Sequence, residues 1–378
     1  MKMIYLANAR IPTEKAHGLQ IMKMAEAFVK AGIDFELVVA KRRNNQLEKT
    51  DPFVYYGLTE KFLIKKLPLF DFVDRKFFKK VIAPIQNTSF GLAAFFYLIK
   101  KPADIIYSRD EFSLFFLCWF KKNLVLELHT FPKSKFFLYK LIFTKVKKII
   151  VITEQLKQLV ASLGISKDKI VVCPDGVDLQ NFKLSLDKLE WRKKLNLPLE
   201  KNIILYTGHL FDWKGVYTLA EASSRLEKDD LIVMVGGMES DRQPLENFIL
   251  KKGLNNIVLV KHQAPTIIPQ YLAAADVLVL PNSAKKVISV RYTSPIKMFE
   301  YMAAQRPIVA SDLPSIGEIL NQNNAILVRP DSPESLAEGI KIALQNKDLC
   351  GKITAQAFLD VKNYSWQNRA KKILDSIQ

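Results

Sequence analysis

Short, unbroken apolar runs alternate along this chain with longer stretches in which apolar residues recur every three or four positions. The short runs predict β-strands buried on both faces, and the longer stretches predict amphipathic helices. Predicted strands in the first half are 3–7, 35–40, 104–107, 124–128, 149–152 and 170–173. Those in the second half are 203–207, 231–235, 257–260, 277–280, 308–310 and 325–328. Residues 61–101 read as helices that are unusually rich in aromatic side chains, and a last helix is expected over about 365–377. This alternation predicts an α/β fold of parallel sheets with helices on both faces. The polar stretch 177–201 marks a domain boundary, giving a first domain over 1–180 and a second over 181–362.

Composition agrees with two globular domains. The chain has 378 residues, 49% of them hydrophobic and 25% charged, which excludes a disordered chain. Cys118, Cys173 and Cys350 are far apart and lack metal-ligand spacing, as expected in a reducing, cytoplasmic compartment. Residues 3–7 are too short for the apolar core of a secretion signal, and the nearly apolar run 90–99 is too short to span a bilayer.

Charge adds an asymmetry. The net charge is +18. Residues 1–180 hold 30 Lys and Arg against 17 Asp and Glu, whereas residues 181–378 hold 26 against 21. Within 61–150 the figures are 18 against 6, and the basic residues interleave with Phe, Leu and Ile. Such a surface suits anionic lipid headgroups better than phosphate tracking along a nucleic acid; a solvated basic face over a packed core is the plainer alternative. The expectation is an anionic membrane surface as partner, and no nucleic acid.

The most informative stretch is 293–318, TSPIKMFEYMAAQRPIVASDLPSIGE. Ser294-Pro295 signals a helix start, with Ser as cap and Pro at the first helical position. The N–H groups of Ile296, Lys297 and Met298 then face an anion, and Lys297 adds charge. Glu300 shares a face with Lys297 and suits a neutral hydroxyl partner such as a ribose; the two also fit an ordinary i,i+3 ion pair. In YTGHLFDWKGV, a strand ends at Gly208 and Lys214 projects where a helix begins, the ligand-binding end of an open α/β sheet. Gly236-Gly237 follows the next strand and allows close backbone approach. In the first half, Gly18 lies near a helix start at about Leu19, where either a phosphate or sugar, or a simple tight turn, fits. His129 ends the strand of LVLELH on its ligand-facing side, or is a core or capping histidine.

These segments resemble the retaining glycosyltransferases of family 4, group 1, which have the GT-B fold of two facing Rossmann-like domains. The resemblance is carried by Ser294-Pro295, Glu300-Tyr301-Met302-Ala303, Pro307-Ile308-Val309-Ala310-Ser311, the Gly208…Lys214-Gly215 loop and CPDGVD at 173–178. It implies that the last helix, 363–378, crosses back to the first domain. It also implies donor contacts at Gly18, Gly208, His209, Lys214, Gly237, Ser294, Pro295, Ile296, Lys297 and Glu300, and a catalytic set of His129, Lys214 and Lys297. His209 stands where the family often has Arg. The family's second glutamate, eight positions before Glu300, is replaced by Tyr292, and the adjacent Arg291 is a candidate for a negative group on the donor.

The resemblance therefore implies transfer of a sugar from a nucleoside diphosphate sugar to a hydroxyl of a glycan acceptor, lipid-linked, in cell-envelope polysaccharide or glycoconjugate synthesis. No cofactor and no metal are expected, because no cluster of metal-ligand residues stands out. The expected location is the inner face of the cytoplasmic membrane. A GT-B sugar-nucleotide epimerase and an inactive nucleotide-sugar-binding scaffold are the alternatives.

Overall fold

A computed structural model describes residues 1–42, 47–69, 79–131 and 136–378. The chain divides into two compact units, Met1–Pro174 with Trp366–Gln378, and Asp175–Ser365. The boundary thus falls at 174/175, before the expected 180/181, and again at 365/366.

The first unit is a seven-stranded parallel sheet in the order β3-β2-β1-β4-β5-β6-β7. Its strands are β1 (Lys2–Ala7), β2 (Asp34–Ala40), β3 (Leu63–Leu67), β4 (Ile105–Ser108), β5 (Leu124–Leu128), β6 (Lys148–Val151) and β7 (Ile170–Val172). The helix Trp366–Ile377 belongs to this unit and packs against the helix Ala16–Lys30 and β6. The strand β3, LIKKL, corrects the helical reading of its segment. It is an edge strand with Leu63, Lys65 and Lys66 exposed, so it shows neither an apolar run nor a clean alternation. Lysines on an edge deter pairing with another chain.

The second unit repeats the winding with six parallel strands, β10-β9-β8-β11-β12-β13. They are β8 (Asn202–Thr207), β9 (Asp230–Val235), β10 (Ile257–Val260), β11 (Val277–Leu280), β12 (Ile308–Ser311) and β13 (Ile326–Val328). Alternation along β8 explains why its whole run must be apolar. Ile203 and Leu205 enter a core with Val233, Leu278 and Met298, while Ile204 and Tyr206 enter a second core with Ile232, Met234 and Val279. A central strand covered on both faces has no polar side to offer water, and each fully buried side chain contributes about 1.5–3 kcal/mol. In both sheets consecutive strands run outward from the middle, then the chain returns to the other side. The switch points lie between β1 and β4, and between β8 and β11. Ligands bind outside the carboxyl ends of strands at such points.

Candidate functional site

In the second unit the switch point is built by two loops. Gly208 follows β8 with φ +120°, and its N–H donates to the Val235 carbonyl at 2.8 Å. Gly236 follows β9 with φ +125°; a Cβ there would stand 2.4 Å from the Gly208 carbonyl oxygen. Only glycine lets these loops touch. Gly237 packs toward Leu210, where a Cβ would come within 2.7 Å of the side chain. Beyond Gly208, a turn over Asp212–Lys214 leads into the helix Val216–Ala222. The Lys214 ammonium sits 4.0 Å above the Trp213 ring, and burial lowers its pKa to about 7.

The helix Ile296–Ala303 starts beside this loop, although not as expected. Ser294 does not cap it. Pro295 occupies the cap position with no side-chain cap bond, while the buried Ser294 hydroxyl accepts from the Asp175 N–H at 3.0 Å. A proline has no side-chain acceptor to turn inward, and among the described residues no side chain accepts from the first-turn N–H groups. The helix is anchored to β8 through the Tyr301 hydroxyl, which accepts from the Thr207 N–H at 2.9 Å.

Lys297 lies in the first turn of this helix and is 9% exposed. Its ammonium has no hydrogen-bond partner among the described residues and sits 3.5 Å from the centre of the Tyr206 ring. Burial, reinforced by the charge of Lys214, holds its pKa well below the usual lysine range, with Glu300 opposing. Burial raises the Glu300 carboxyl to about 7, against the pull of Lys297. No ion pair joins Lys297 to Glu300 among the described residues. The plain i,i+3 pair is therefore not what holds these side chains.

His209 packs within the loop that follows β8. Its Nδ1 lies 3.4 Å from Asp241 Oδ2, and its ring stacks on Phe211 at 4.9 Å. Arg291 is exposed at the end of the helix Val287–Arg291.

His129 and Gly18 belong to the first unit. His129 follows β5, and its Nε2 lies 2.7 Å from Glu127 Oε1. Glu127 is 1% exposed and also accepts from Gln20 at 2.7 Å, Tyr107 at 2.6 Å and Arg369 at 2.6 Å. Burial alone would raise its pKa, yet Arg369, His129 and Arg109 hold it well below the carboxylate range. The helix Ala16–Lys30 begins three residues before Leu19, so Gly18 lies inside it. A Cβ on Gly18 would stand 2.2 Å from the Tyr56 hydroxyl and 2.5 Å from the Thr13 methyl. On its Cβ side, Gly18 is therefore packed against Tyr56 and Thr13.

Sequence reasoning missed Glu127 and Tyr206. A signal for Glu127 was present: a charge inside LVLELH, a strand that should be buried on both faces, requires buried partners. Nothing in ILYTG separates Tyr206 from an ordinary core tyrosine.

The family model described as Glycosyltransferase Family 4 matches residues 18–181, and that described as Glycosyl transferases group 1 matches residues 187–359. An uncharacterized glycosyltransferase of Methanocaldococcus jannaschii is 28% identical over 236 residues, 60% of this chain and 59% of that protein. A Bacillus subtilis glycosyltransferase named for teichuronic acid biosynthesis is 30% identical over 171 residues, 45% of this chain and 40% of that protein. The chain thus spans about half the length of the curated relatives it matches. Among solved structures, sucrose-phosphate synthase from Thermosynechococcus elongatus superposes with a TM-score of 0.81 at 18% identity, covering 99% of this chain and 98% of that one. Anabaena HepE, solved with UDP and glucose, superposes with a TM-score of 0.79 at 16% identity over 99% of this chain and 98% of that one. These two likenesses establish the fold. With two abutting family matches that together run from residue 18 to residue 359, the chain belongs to the group 1 glycosyltransferases of family 4 and has the GT-B fold.

Proposed function

We propose that this protein transfers a sugar from a nucleoside diphosphate sugar to a hydroxyl of a lipid-linked glycan, with retention of configuration at the sugar. One observation carries the proposal: Lys297 presents a buried ammonium without a hydrogen-bond partner, beside a helix N-terminus that no side chain caps. An arrangement that is costly when empty is stabilised by an anion. Lys214 enters the same electrostatic field, which suits a diphosphate.

In the reaction the bond from the sugar C1 to the diphosphate oxygen breaks as the acceptor oxygen bonds to C1. The acceptor's proton passes to the departing diphosphate on the same face. Lys214, Lys297 and the open N–H groups of Ile296 and Lys297 stabilise the leaving charge, the largest protein contribution expected. Glu300, with a pKa of about 7, accepts from or donates to the ribose hydroxyls. Gly208 and Gly237 let the nucleotide approach the loops, Arg291 meets a negative group on the donor, and His129 is assigned to the donor sugar. We assign no cofactor and no metal to the reaction.

The acceptor class is drawn from the relatives' names. The Bacillus subtilis relative is named for teichuronic acid, and an Escherichia coli relative, 26% identical over 188 residues, for colanic acid. No helix among the described residues is long and apolar enough to cross a membrane. The first unit does expose Phe96, Trp119 and Phe120 at 72%, 57% and 62%. The Lys145 ammonium lies 5.1 Å from the Trp119 ring centre. We assign this patch to the anionic inner face of the cytoplasmic membrane. Of the basic run 133–148, Lys133 and Lys135 lie outside the described residues.

The test is turnover. The protein is incubated with a panel of nucleoside diphosphate sugars, UDP-sugars first, and a membrane-lipid extract as acceptor. Acceptor-dependent release of nucleoside diphosphate, with an axial or equatorial linkage matching the donor, is expected and should survive EDTA. Sugar epimerisation without acceptor, or complete loss in EDTA restored by manganese, would overturn the reading.

A further inference from the structure

Lys297 could satisfy its charge on Glu300, one turn along the same helix face, and it does not. The group that takes the ammonium instead is the ring of Tyr206, the penultimate residue of β8, which is wholly buried. The ring is itself fixed: its hydroxyl donates to the His209 carbonyl at 2.6 Å, tying it to the loop that carries Lys214. The neighbouring Gly208 lies beside the lysine tip, at ordinary van der Waals distance. A Cβ at that position would lie 3.4 Å from Nζ and 3.6 Å from Cε.

We propose that Tyr206 is a positioning residue for the transfer reaction, its ring face seating the Lys297 ammonium at the diphosphate site before the donor arrives. The negative face of an aromatic ring attracts an ammonium without accepting a conventional hydrogen bond. The lysine's donor directions therefore remain open for phosphate oxygens. The seat also keeps Lys297 off Glu300, leaving the carboxyl for the ribose and the ammonium for the diphosphate. Without the ring, the two residues are placed to collapse into the i,i+3 ion pair, and both contacts with the nucleotide weaken together. Charges facing Lys297 are those of Lys214 from the preceding loop and Glu300 from its own helix. The inference rests on the reading of Lys297 as a diphosphate ligand.

The test uses the full chain and four variants: Tyr206→Phe, Tyr206→Leu, Lys297→Met and the double variant Tyr206→Leu/Lys297→Met. UDP binding is measured by calorimetry. Tyr206→Phe keeps the ring and should bind within about threefold of wild type, while Tyr206→Leu should weaken binding roughly 30-fold, the scale of a desolvated cation–π contact. In the Lys297→Met background the Tyr206→Leu change should cost almost nothing, which a merely structural role would not produce. Wild-type UDP affinity in Tyr206→Leu while Lys297→Met loses it overturns the seat alone. Unchanged affinity in Lys297→Met overturns the parent reading of the site. Should Tyr206→Leu fail to fold, lysine labelled at Cε decides. The Lys297 methylene protons should be shifted upfield by the ring in ligand-free wild type and Tyr206→Phe, and move on adding UDP. An unshifted Lys297 resonance overturns the proposal.

Discussion

At the carboxyl end of the first sheet, Glu127 is enclosed by Arg369, Gln20, Tyr107 and His129, all within 2.7 Å. At the matching end of the second sheet, Lys297 is almost as deeply enclosed and has only an aromatic ring beneath it. The two sheets share one winding and one kind of ligand-facing edge, yet treat a buried charge in opposite ways. A charge matched inside the protein stiffens the framework. Arg369 also bonds the Pro174 carbonyl at 2.9 Å, so Glu127 ties the last helix to the centre of the sheet. A charge left unmatched is a cost to the empty fold and is recovered when an anion binds. The first edge therefore holds a side chain, His129, in place, and the second is, on the proposed reading, completed by a bound diphosphate.

Breaking the matched side should have the largest effect. Glu127→Ala leaves Arg369 buried without its carboxylate and should cost about 3–5 kcal/mol of stability in urea unfolding at pH 7. The pH dependence has a fixed sign. Glu127 has a folded pKa below its unfolded one, so its contribution is complete above about 4.3 and is lost as pH falls through the folded value. Equal stability of variant and wild type would show that the network is not structural.

On the open side the damage should fall on catalysis. Lys214→Ala should lower kcat/KM for the donor by about 2–4 kcal/mol of transition-state stabilisation while leaving the unfolding midpoint nearly unchanged. A variant that loses stability in proportion to activity would place Lys214 in the framework instead.

How much of this contrast the sequence carried depends on periodicity. Residues 124–128 and 203–207 are recognisable strands because a central parallel strand must be apolar on both faces, and β12 follows from Pro307-Ile308-Val309-Ala310 for the same reason. The strand β3 was not legible, since its edge position removes the demand for apolar residues. Lys214, Lys297 and Glu300 stand out in sequence because their motifs place charge at helix starts. Ser294 misled, because the preference of serine for cap positions is a local tendency, and here the hydroxyl is taken by the distant Asp175 N–H. The Tyr206–Lys297 contact joins residues 91 positions apart in sequence and has no local signature.

A smaller effect sharpens the electrostatic side of the comparison. Lys214 is held at about 7 when the site is empty, and a bound diphosphate favours its charged form. Below pH 7 the lysine is already protonated, so its own contribution to UDP affinity should be constant. Above it a proton must be taken up on binding, and affinity should fall toward tenfold per pH unit. Calorimetry in buffers of different ionisation enthalpy at pH 8 should register the uptake; affinity that rises with pH would contradict the assignment.

The smallest expected effect lies outside both edges. Trp119→Ser with Phe120→Ser should reduce binding to vesicles containing anionic phospholipid, a binding that salt also weakens, and leave UDP affinity unchanged. Equal binding of wild type to neutral and anionic vesicles would leave these rings as ordinary exposed side chains.

The most direct test of the central claim is urea unfolding of Lys297→Met beside wild type, without and with saturating UDP. Methionine keeps the apolar stem and removes the unmatched charge. Without UDP the variant should be more stable than wild type. With UDP the order should reverse, because wild type gains binding energy that the variant lacks. A variant less stable than wild type in the empty state, or equally stabilised by UDP, would contradict the claim that the second sheet holds a charge in waiting for the donor's diphosphate.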